Sequence, residues 1–119
     1  MEAKLLAETI GEILDQKKAV DIEVMPVAGK TVLAEYFVIA SGTSTTHVKS
    51  LAEEVEYELK KNHGLMTDHI EGAATSRWIL LDYKDVIVHV FHPQERDEYS
   101  LEKLWNMKRP DMTLAENET

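Results

Sequence analysis

A chain of 119 residues, 44% hydrophobic and 29% charged, has the size and composition of one globular domain. It contains no cysteine, which excludes a disulfide framework and thiolate metal sites and fits a reducing compartment. A formal net charge of −9 suits the chain poorly to phosphate binding and better to a basic protein partner.

No apolar run approaches the ~20 residues of a membrane span. The N-terminus mixes acids into its apolar stripe and lacks a basic leader, so the cytoplasm is the expected compartment. Residues 2–18 read as an amphipathic helix: Leu6, Ile10, Ile13 and Leu14 fall at helical spacing, and Lys17 and Lys18 suit the dipole of the last turn. Val20, Ile22 and Val24 then alternate with acids in a half-exposed strand that Pro26 stops. A loop at Ala28–Lys30 leads into a second strand over Val32–Ser41, whose continuous apolar run predicts burial on both faces.

Gly42 to Thr46 break that strand and supply hydroxyl N-caps for a second helix. Its stripe is Val48, Leu51, Ala52, Val55 and Leu59, and Gly64 is placed to close it in the left-handed conformation. A short strand over Leu65–Ile70 and a loop over 71–76 precede two apolar runs, Trp78–Leu81 and Val86–Phe91. With the polar break Asp82–Asp85 between them, these form a β-hairpin. Lys84 occupies a turn position that often needs φ > 0.

Pro93 opens a short helical turn, Ser100 caps a last helix through Leu101, Leu104 and Trp105, and residues 108–119 form an acidic, disordered tail. Arg96, Tyr99 and Glu102 are expected to brace that last helix on the sheet. The order αββαβββα defines an α+β domain over residues 1–107, a mixed sheet of about five strands with helices packed on it.

Two substantial helices cover one face of such a sheet. Trp78, Leu80 and Asp82 alternate onto one side of the hairpin, and Ile79, Leu81 and Tyr83 onto the other. An uncovered apolar face carrying Trp78 and Leu80 is therefore expected to meet a partner.

Chemistry is sparse. The strand–Gly-Thr-Ser–helix passage at Ser41–Thr46 is similar to the Gly-Ser turn of nucleotidyltransferases, but those enzymes need two carboxylates at i and i+2 on a strand. Asp68 and Glu71 stand at i and i+3, which places them on opposite faces of an extended strand. His89 and His92 share that spacing and lack Cys or Glu partners, so His89 reads as structural and no metal or cofactor is expected. No Gly-x-Ser-x-Gly elbow or Cys–His pair is present, and no enzyme is expected.

Three stretches carry a family resemblance: Glu35–Ser44 (EYFVIASGTS), Glu71-Gly72, and Trp78 through Trp105. Together they resemble the ribosomal silencing factor, or Iojap, family over about residues 2–106. Glu35 stands where the family usually has Asp, Lys84 where it usually has Gly, and Thr46 where Arg is common.

The resemblance implies a fold related to nucleotidyltransferases without their metal carboxylates, and a chain that is often a homodimer when free. It also implies a protein that binds the large ribosomal subunit through ribosomal protein L-fourteen, blocks joining of the small subunit, and represses translation when nutrients are scarce. Trp78, Leu80, Asp82, Tyr83 and His89 are the expected contact residues, with Arg77 and Lys84 at the rim. The alternatives are a nucleotide-handling enzyme of the transferase type and an assembly factor of the large subunit.

Overall fold

Hydrophobic spacing builds the elements of the computed structural model, which describes residues 1–98. The expected last helix and the tail at 108–119 lie outside the described residues, as do Tyr99 and Glu102. The order is α1 (Ala3–Gln16), β1 (Val20–Pro26), β2 (Tyr36–Ser41), α2 (Thr45–His63), β3 (His69–Glu71), β4 (Trp78–Asp82), β5 (Val86–Phe91) and α3 (Pro93–Glu98). One five-stranded mixed sheet runs β1-β2-β5-β4-β3, with β2 and β5 parallel and every other neighbouring pair antiparallel.

The period-two alternation sorts the central strands into two apolar layers. Val38, Ala40, Ile79, Leu81, Val88 and Val90 face the stripes of α1 and α2. Phe37, Ile39, Trp78, Leu80, Ile87 and Phe91 face the other way, joined by Val27 and by half-buried Met25, Leu33 and Ala34. Val27, Leu33 and Ala34 explain why β2 begins later than its apolar run suggests. Residues 27–35 do not extend the sheet; they lay Val27, Leu33 and Ala34 against its second face while Val32 stands wholly in solvent.

Strand β1 also departs from simple alternation. The register slips between Val20 and Glu23, and Asp21 takes φ 51°, a bulge that turns Ile22 toward the helices and Met25 toward the second layer. Nothing in the alternating sequence announces it.

Helix α2 follows its residues closely. Ser44 caps it by accepting the His47 amide at 3.1 Å, its buried stripe is Val48, Leu51, Ala52, Val55 and Leu59, and Gly64 (φ 64°) closes it. His47 ties the start of this helix to the end of α1. Its Nδ1 accepts from the Thr43 amide at 2.9 Å, so Nε2 carries the hydrogen and donates to the Lys17 carbonyl at 3.0 Å.

Candidate docking surface on the hairpin

The β4–β5 hairpin pairs Trp78 with Phe91, Leu80 with His89, and Asp82 with Ile87. Its turn closes where Asp82 Oδ1 accepts the Lys84 amide at 2.7 Å and the Tyr83 amide donates to the Val86 carbonyl at 2.9 Å. Lys84 sits at φ 72°, the positive φ that its position suggested.

Before the hairpin, Gly72 (φ 82°) is forced by space as well as by backbone. A Cβ there would lie 1.9 Å from the Trp78 carbonyl oxygen. The Glu71-Gly72 pair thus fixes where β4 starts.

On the second sheet face an aromatic group surrounds His89. The Trp78 indole stacks on Phe91 at 5.0 Å, and Phe37 meets the His89 ring edge-on at 4.7 Å. Trp78 Nε1–H donates to His89 Nδ1 at 3.2 Å, which makes Nδ1 an acceptor and leaves the ring hydrogen on Nε2. Burial lowers the His89 pKa to about 3, so the ring stays neutral. Among the described residues its Nε2 has no hydrogen-bond partner. On the neighbouring strand β3, His69 Nε2 meets the buried Glu71 carboxylate at 2.7 Å.

The seven residues singled out from the sequence do not gather into one open patch. Trp78, Leu80 and His89 share the face away from the helices, as the alternation requires, but retain only 9%, 0% and 1% exposure. The expected exposure of this face is therefore corrected at those positions. Tyr83 lies on the opposite, helix-facing side and is likewise buried. Arg77 and Lys84 flank opposite ends of β4: Arg77 donates from Nε to Glu95 at 2.8 Å and from Nη2 to Gln94 at 2.9 Å, binding the strand to α3, while Lys84 is exposed in the turn. Asp82 is buried and holds that turn.

The sequence suggests Arg96 as a brace for the last helix; among the described residues it clamps the other edge of the sheet. It reaches the Ser41 hydroxyl at 3.1 Å, the Asp21 carbonyl at 2.8 Å and Glu23 at 3.1 Å. Arg96, Ser41 and Asp21 line a cleft of about 340 Å³ with Gly42 and Thr43, where the sequence is similar to a nucleotidyltransferase turn. There the Thr43 amide donates to His47 Nδ1 and the His47 amide to the Ser44 hydroxyl. Gly42 has a packing role, since a Cβ would lie 2.8 Å from the Val48 amide. Among the described residues no group of three His, Asp or Glu side chains is placed to hold a metal ion.

A family model described as "Ribosomal silencing factor during starvation" matches residues 1–119. The ribosomal silencing factor RsfS of Bacillus subtilis is 38% identical over 88% of this chain and 88% of its own length. The mouse protein named "Mitochondrial assembly of ribosomal large subunit protein 1" is 34% identical over 96% of this chain and 51% of that protein. A crystal structure from Chromobacterium violaceum superposes with a TM-score of 0.81 at 34% identity, covering 92% of this chain and 91% of that one. The chain belongs to the ribosomal silencing factor family.

Proposed function

We propose that this protein is a ribosome-associated, non-enzymatic regulator that docks on the large ribosomal subunit through ribosomal protein L-fourteen and blocks joining of the small subunit. It acts in the cytoplasm to repress translation when nutrients are scarce, and is a homodimer when free. The observation that carries this reading is the family match over the whole chain. The acidic balance supports it, because a net charge of −9 complements a basic ribosomal protein and repels non-specific phosphate contacts.

The contact proposed on this chain is the start of the hairpin. Trp78 keeps a 9% edge in solvent beside half-buried Arg77. His89 accepts the indole N–H, Leu80 pairs with His89 in the same layer, and Asp82, Tyr83 and Lys84 shape the far end of the strand. The test is to mix purified large and small subunits with the protein and follow joined ribosomes by sedimentation. Loss of joined ribosomes in proportion to added protein is expected, and an unchanged joined peak contradicts the reading.

A second reading, assistance to large-subunit assembly, is favoured by the name of the mouse relative. Sedimentation against precursor and mature large subunits separates the two, since an assembly factor binds the precursor preferentially.

A further inference from the structure

Arg77 adjoins Trp78 in the chain, so it lies where a basic protein would arrive if the Trp78 edge is the contact. A bare cation at that place works against such docking, because like charges repel across an interface. The guanidinium is not bare. Arg77 Nε donates to Glu95 Oε1 at 2.8 Å and Nη2 to Gln94 Oε1 at 2.9 Å. Among the described residues Nη1 has no hydrogen-bond partner.

Both partners come from the first turn of α3, and that turn is anchored at two places. The His92 amide donates to the Arg77 carbonyl at 2.8 Å, and His92 Nδ1 accepts the Gln94 amide at 3.3 Å, which starts the helix against the start of β4. Arg96, the residue after Glu95, ties the same helix to the β1 edge through Ser41, Asp21 and Glu23. The Glu95 side chain is 20% exposed and that of Arg77 42%. An ion pair this open to water contributes little to folding stability. Its consequence lies at the rim. Glu95 offsets the Arg77 charge, and the two contacts order a long side chain before a partner has to.

Resting on the reading of the Trp78 edge as the large-subunit contact, we propose that Glu95 is a positioning residue for that contact. It neutralises and orients Arg77, so that the Nη1 donors meet acceptors on a basic protein segment without charge repulsion. Gln94 holds the other arm of the guanidinium. The short helix α3 is thereby part of the docking rim, acting through Arg77.

The test measures affinity of the full chain for purified large subunits by sedimentation, at low and at high salt. Glu95→Gln leaves the Arg77 charge without its counter-ion. Its affinity is expected to fall about tenfold at low salt and to approach wild type at high salt, where exposed charges are screened. Glu95→Asp keeps the charge and is expected to retain most of the affinity, and thermal unfolding of both variants is expected to stay close to wild type. In an Arg77→Gln background the further change Glu95→Gln is expected to alter affinity by about twofold or less, because its effect passes through Arg77. Undiminished affinity of Glu95→Gln, a loss that salt does not reduce, or an equal loss in the Arg77→Gln background would overturn the proposal. Failure of the wild type itself to bind contradicts the docking reading, and the proposal falls with it.

Discussion

His89 shows how one side chain couples the hairpin to pH. In the folded chain it stays neutral down to about pH 3, whereas an unfolded histidine binds a proton below about 6.5. Between those values the unfolded state holds the extra proton, so the contribution of His89 is complete above about pH 6.5 and is lost as pH falls. The loss is about 1.4 kcal/mol per pH unit for one proton. Urea unfolding of wild type and His89→Gln at pH 7, 6, 5 and 4 should show the wild-type curve steeper by that amount; parallel curves would place His89 in a solvated site. Gly72 makes a steric prediction. Gly72→Ala puts a methyl group 1.9 Å from the Trp78 carbonyl at a positive φ, and is expected to cost at least about 2 kcal/mol by thermal or urea unfolding.

At the scale of elements, the sequence was most informative where local chemistry and burial agree. The α2 stripe, the Ser44 cap and the Gly64 stop were readable because each is decided within one or two helical turns. Removing the cap with Ser44→Ala is expected to lower stability by about 1 kcal/mol in a urea melt. Lys84 follows the same logic in the turn: its left-handed φ is unfavourable for a side chain, so Lys84→Gly should raise stability by about 0.5 to 1 kcal/mol. The late start of β2 and the Asp21 bulge were not readable, because both depend on contacts distant in sequence. Val27, Leu33 and Ala34 leave the strand to cover a sheet face, and Arg96, 75 residues on from Asp21, grips the bulged edge. The His47 link between two helix ends was not readable for the same reason: its far partner, the Lys17 carbonyl, lies 30 residues away and is close only after folding.

For the whole molecule, the αββαβββ order and the division of the hairpin into two faces followed from periodicity, and the sheet order rests on tertiary pairing. The candidate contact set was only partly legible. Alternation placed Trp78 and Leu80 together, yet period two says which way a side chain points and not what lies over it. Residue type alone therefore overstated how open the face is. The proposed contact is the Trp78 edge beside Arg77, so the informative variant changes the rim and spares the buried indole. The decisive measurement is co-sedimentation of the protein with purified large and with purified small ribosomal subunits, using wild type and Arg77→Glu with matched circular dichroism. The account expects wild type to pellet with large subunits only and Arg77→Glu to lose at least most of that binding while staying folded. Equal pelleting with both subunits, or with neither, would contradict it.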